Sequence, residues 1–166
     1  MNALGAIDRG FLGVEFRELL IGDVLRIFVQ PSQHFCLGVN RPVLKLEDAT
    51  EIVTGGPAWT AIDQATGRVL AIAGFKDLWP ANPPRTDGHA IAWAVLAADL
   101  GPAHLAISSF ARAQIAAAPY SRLEAIVRMN LPAEYRWARL VGFGNPRVLR
   151  KWGPDGEPHM LLERVR

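Results

Sequence analysis

The chain has 166 residues, enough for one ordinary domain with a proper core, since half of them are hydrophobic. A fifth are charged and the net charge is only +2, too balanced to point to a nucleic-acid partner. Cys36 is the single cysteine, so no internal disulfide is possible; the four histidines (His34, His89, His104, His159) are far apart in sequence and form no metal-ligand pair.

No charged start followed by an apolar run marks a secretory signal, and no stretch has ~18 uninterrupted apolar residues, so no membrane span is expected. The expectation is a soluble, cytoplasmic domain. Residues 1–13, with Gly5, Gly10 and Gly13, read as an N-terminal arm, and 14–166 as a single domain. Residues 14–19 alternate apolar and polar, as a half-buried strand does. Ile21, Val24, Leu25 and Phe28 fall at helical spacing over 21–30, and Pro31 ends the pattern. Residues 32–42 are ambiguous. Leu46, Ala49, Ile52 and Val53 share a helical face over 43–53, and Gly55-Gly56-Pro57 stops it.

Residues 58–62 and 68–75 are strand-like runs joined by Asp63-Gln64-Ala65-Thr66-Gly67, which predicts a hairpin. Residues 76–88 form a proline-rich loop around Trp79. A strand over 89–98 then runs into a helix over 102–118 through the short turn Asp99-Leu100-Gly101. Pro102 suits a first helical turn, where its missing amide costs nothing. A strand feeding a helix this directly aims the first helical amides beyond the strand end, a common way to hold phosphate. Residues 122–129 alternate again. A short helix over 132–141 stops at Gly142, and strands over 147–152 and 159–165 flank the turn Gly153-Pro154-Asp155-Gly156. This order predicts an α/β (α+β) fold with a mixed sheet.

The order and its punctuating residues resemble the GCN5-related N-acetyltransferase (GNAT) superfamily over roughly 14–166. That resemblance implies a mixed, centrally splayed β-sheet flanked by helices, with acetyl-coenzyme A in the splay. Its pyrophosphate would lie on the loop after the central strand. The family pattern there, Gln/Arg-x-x-Gly-x-Gly/Ala, falls on Ala98-Asp99-Leu100-Gly101-Pro102-Ala103. Gly101 and Ala103 are kept, and Ala98 replaces the leading polar residue. Pro102 removes a donor and Asp99 adds a negative charge. The implied cofactor-binding residues are Val95, Leu96, Ala97, Ala98, Gly101 and Ala103, with backbone groups of 94–98 holding the pantetheine arm like an added strand. Gly101 and Ala103 equally suit a tight turn that needs small residues.

The family's Asn-x-x-Ala-x-x-x-Tyr-x-x-x-Gly-Phe pattern ends on Gly142-Phe143, which places Ala138 where members carry the tyrosine that protonates the coenzyme A thiolate. Tyr135, one helical turn earlier, is the candidate replacement. His89 is the candidate base for the acceptor amine, because an imidazole changes charge near neutral pH; the commoner role of such a residue is a strand-edge histidine capping loop amides. His104 reads as solvated, and Arg136, Arg139, Arg147, Arg150 and Lys151 make a basic C-terminal third. The terminal segment looks most like acetyltransferase-like proteins of tailed bacteriophages and prophages.

Two functions follow from the resemblance. One is an acetyl-CoA-dependent N-acyltransferase-like protein acting on a small-molecule or protein amine. The other is a non-catalytic phage virion or assembly protein whose partners are phage structural proteins, in the host cytoplasm or the virion. No metal, nucleic acid or membrane is expected in either.

Overall fold

The computed structural model describes residues 9–34, 42–78 and 88–166. Among these residues eight strands hydrogen-bond in the order β1-β2-β3-β4-β5-β6-β8-β7. In chain order they are β1 (Arg9–Phe11), β2 (Val14–Glu18), β3 (Ala58–Asp63), β4 (Val69–Asp77), β5 (His89–Leu96), β6 (Arg122–Arg128), β7 (Gly144–Leu149) and β8 (His159–Val165). The helices are α1 (Ile21–Arg26), α2 (Leu46–Thr54), α3 (Ala103–Ala117) and α4 (Pro132–Val141), with a 3₁₀ turn at Pro31–Gln33. This is the mixed α/β architecture with helices flanking a sheet. The chain groups into two compact units, Met1–Phe75 with Ala94–Ile107, and Lys76–Trp93 with Ser108–Arg166.

In the first unit β2, β3 and β4 form an antiparallel run with Val14 opposite Asp63 and Trp59 opposite Ala73. The hairpin between β3 and β4 is closed by Asp63, whose Oδ1 accepts from the amides of Ala65 (2.8 Å) and Thr66 (3.0 Å). Residues 9–11, read from sequence as part of an arm, pair with β2 as β1. The helix expected over 21–30 ends at Arg26. Beyond it Val29 bridges Ala97 and Phe28 bridges Val43, so backbone pairing wins over the helical spacing of the side chains. Pro31 contributes: it pushes Gln30 out of the helical region, to ψ 140°. Both α1 and α2 start on an aspartate that reaches back, Asp23 to the Leu20 amide (3.1 Å) and Asp48 to the Lys45 amide (2.7 Å).

In the second unit β6 pairs with β8 in register along its whole length, from Arg122↔Val165 to Arg128↔His159. Strand β7 starts at Gly144, three residues earlier than expected, straight after the helix stop. That stop is Gly142, at φ 117°, where the chain leaves α4 in a left-handed turn as its spacing predicted. The Trp137 indole donates to Ser108 Oγ (2.9 Å) and ties α4 to α3 at Ser108. The parallel ladder of β5 with β6 is short: His89↔Arg122, Ala90↔Leu123 and Ile91↔Glu124.

Cys36, Trp79 and Asp87 lie outside the described residues. Among the described residues no helix is long and apolar enough to cross a membrane.

Candidate functional site

Apart from Tyr135, the sequence-predicted residues fall in two places, one in each unit. The first is the far end of β5 and the turn into α3. Leu78 N donates to His89 O (3.0 Å) and Ala97 N to Leu70 O (2.8 Å), so odd-numbered residues of this strand turn their main-chain groups toward β4. Even-numbered residues therefore face the other edge, where an added strand would bind. That edge is already bonded within the first unit. Gln33 Nε2 donates to Ala94 O (3.1 Å), and Leu96 N donates to Gln33 Oε1 (2.6 Å). Gln30 N donates to Leu96 O (3.0 Å) and Ala98 N to Phe28 O (3.3 Å).

Val95, Leu96 and Ala97 are buried. The Ala98 carbonyl takes a hydrogen bond from the Arg68 guanidinium.

The turn itself is left-handed at Asp99 (φ 57°) and Gly101 (φ 51°). Glycine accepts that conformation without cost, and a Cβ at Gly101 would meet open space. The first helical amides do not stand free as expected. Ala103 N donates to Leu100 O (3.2 Å), His104 N to Gly101 O (3.2 Å) and Leu105 N to Pro102 O (3.1 Å). Such 3₁₀-type closure satisfies the donors that would otherwise face an anion. Pro102 lacks an amide, and the groups named here are bonded within the chain, so this arrangement holds closed the edge and turn that a coenzyme A pantetheine arm and pyrophosphate would occupy.

The second place is the start of β5 in the second unit. Alternation puts His89, Arg122 and Glu124 on one face and the buried Ala90 and Leu123 on the other. His89 Nε2 lies 3.1 Å from Glu124 Oε1. The pair is close enough for an ion pair when the imidazole is protonated but lacks the alignment of a hydrogen bond. Glu124 stands directly opposite Glu163 on β8. Two like charges so placed repel, and Arg122 lies between them, 2.7 Å from Glu124 Oε1 and 2.7 Å from Glu163 Oε2. Arg147 reaches Glu163 at 3.4 Å. Two carboxylates thus face two guanidinium groups, so these four charges balance without His89. What this arrangement can do is accept a proton at His89 and hold the resulting imidazolium against Glu124.

Tyr135 sits half-buried on α4, and among the described residues no hydrogen bond or ion pair joins it to His89. Ala138, at the family's tyrosine position, is buried in α4. Sequence reasoning did not select Tyr120, a buried phenol whose pKa is pushed up by burial first and by the Asp77 carboxylate second. Nor did it select Arg122, Glu124, Glu163 or Gln33. The alternation of 122–129 marked Arg122 and Glu124 as sharing a face, which was the available signal. Nothing in the sequence joins Gln33 to Ala94, 61 residues away. Among the described residues no group of three or more His, Cys, Asp or Glu could hold a metal ion.

No family model matches the chain, and no curated protein matches it. Solved structures do. A GNAT superfamily phosphinothricin acetyltransferase from Sinorhizobium meliloti, solved with acetyl-CoA, superposes at a TM-score of 0.67 with 14% identity, covering 93% of this chain and 89% of that one. Ard1 from Thermoplasma volcanium superposes at 0.68 with 11% identity, covering 93% and 98%. An N-acetyltransferase from Staphylococcus aureus superposes at 0.64 with 14% identity, covering 92% and 98%. The fold is that of the GNAT superfamily acetyltransferases. At these identities the likeness is one of fold.

Proposed function

We propose that the chain is an N-acyltransferase-like protein of the GNAT fold, acting on a small-molecule or protein amine in the cytoplasm, with His89 as the proton acceptor. The carrying observation is the His89–Glu124 pair, backed by Arg122. An acyl-coenzyme A would supply an already activated acyl group. What is asked of the chain is to take a proton from the amine at His89 Nε2 and to steady the imidazolium with the Glu124 carboxylate. Glu124 is a positioning residue in this reading. Tyr135 is the candidate donor of a proton to the departing thiolate.

One observation favours a second reading, a non-catalytic binding module: the β5 edge and the first turn of α3 are bonded to the chain itself. The sequence likeness to phage-encoded proteins would put such a module in virion assembly, with phage structural proteins as partners.

Calorimetric titration with acetyl-CoA separates the two. The acyltransferase reading expects micromolar binding that Gly101→Glu weakens, and thiol release with an amine acceptor that His89→Gln lowers by about 10²-fold. Absence of binding at millimolar acetyl-CoA would leave the binding module standing.

A further inference from the structure

We propose that Gln33 is an intramolecular latch that closes the acyl-coenzyme A edge of β5, so that ligand enters only when its side chain swings away. The inference rests on the acyl-coenzyme A reading above. Ala94 O and Leu96 N flank Val95, and they are the two groups that one residue of a parallel neighbouring strand would engage. The Gln33 carboxamide engages both, giving its N–H to Ala94 (3.1 Å) and its oxygen to Leu96 (2.6 Å). Among side chains only a carboxamide carries a donor and an acceptor so disposed. It thus stands in for one amide of an extended, amide-bearing ligand, the chemistry of a pantetheine arm.

The rest of the segment is a fixed mount. Val29 is fully buried and bridges Ala97. Its neighbours Phe28 and Gln30 supply the remaining bonds to Ala98 and Leu96. Pro31 opens the 3₁₀ turn that carries Gln33 outward, and the turn is held by Gln33 N to Gln30 O (2.9 Å) and by His34 Nε2 against Val29 O (3.0 Å). Gln33 itself is only half-buried, so rotating its side chain frees Ala94 O and Leu96 N without unmaking the Val29 bridge. A ligand must compete with the latch, and its apparent affinity falls by the fraction of time the latch is open.

The test uses the full chain, wild type beside Gln33→Ala and Gln33→Asn; asparagine keeps the carboxamide but is one methylene too short to span both groups. Two readouts are taken: exchange of the Leu96 amide without ligand, and the Kd for acetyl-CoA by calorimetry. The latch expects Leu96 exchange to quicken about 10-fold in both variants and acetyl-CoA to bind about 10-fold more tightly. Wild-type binding that the variants leave unchanged or weaken overturns the latch alone. Faster Leu96 exchange with no acetyl-CoA binding to any of the three proteins overturns the acyl-coenzyme A reading, and the latch's role with it. Unchanged Leu96 exchange overturns the latch whatever the affinity does.

Discussion

Asp23 is almost fully buried and yet charged, which is expensive unless every oxygen is answered. Arg17 answers with two bonds of 2.7 Å, the Thr60 hydroxyl with one of 2.9 Å and the Leu20 amide with one of 3.1 Å. Burial alone would raise the Asp23 pKa; the Arg17, Leu20 and Thr60 hydrogen bonds outweigh it and hold it below the ordinary carboxylate value. The folded pKa is therefore depressed. The stability it brings is fully present above the unfolded value of about 3.9 and is lost as pH falls through the folded pKa. Denaturant melts between pH 2 and 6 are expected to show an acid slope that Asp23→Asn makes shallower. Asp23→Ala, which strands Arg17, is expected to cost about 3 kcal/mol at pH 7. Arg122 works the same way with the signs exchanged. Arg122→Ala leaves the Glu124 and Glu163 carboxylates opposed, and a loss of about 3 kcal/mol is expected. Arg122→Lys is expected to recover only part of it, because an ammonium lacks the fork that reaches both glutamates; urea unfolding of the two variants checks the order.

Two glycines separate conformational need from crowding at the level of the elements. At Gly142 the φ of 117° is the demand, and a Cβ would sit 3.8 Å from Ile115, in ordinary contact. Gly142→Ala is thus expected to cost about 1–2 kcal/mol of strain with α4 intact. At Gly74, opposite Ala58 in the β3–β4 ladder, an added Cβ would lie 2.6 Å from Pro57 O and 2.9 Å from Ala58 Cα. Those atoms belong to the backbone and cannot step aside, so Gly74→Ala is expected to be the worse of the two, at about 3 kcal/mol or more. Equal losses in thermal melts would contradict this account. The same elements mark what sequence patterning can carry. The α4 stop at Gly142, the Asp63 hairpin and the Asp155-Gly156 turn were legible because local chemistry decides them. The shortened α1 was not, because a partner distant in sequence, Ala97, decides that Val29 joins a sheet; β1 pairs locally, Arg9 with Glu15, and was masked by the glycine-rich start that reads as an arm.

Across the whole molecule the strand order predicts a gradient of protection. Ile72 on β4, Leu123 on β6 and Leu162 on β8 are fully buried, while β7 at one end of the order exposes most of its side chains and β1, at the other end, pairs among the described residues with β2 alone. Hydrogen exchange is expected to be slowest in β4, β6 and β8 and fastest in β1 and β7, and the reverse ranking would contradict the strand order. That the turn at Gly101 joins strand to helix, and that 122–129 alternates as a strand does, followed from spacing and turn chemistry alone, since both are properties of neighbouring residues. The use of those features did not. Whether the first amides of α3 face an anion depends on bonds back to Leu100, Gly101 and Pro102. Whether the β5 edge is open depends on Gln33, brought there by the Val29–Ala97 bridge. Hydrogen-bond satisfaction is settled by which donors and acceptors meet in space, and across 61 residues only the tertiary structure brings them together.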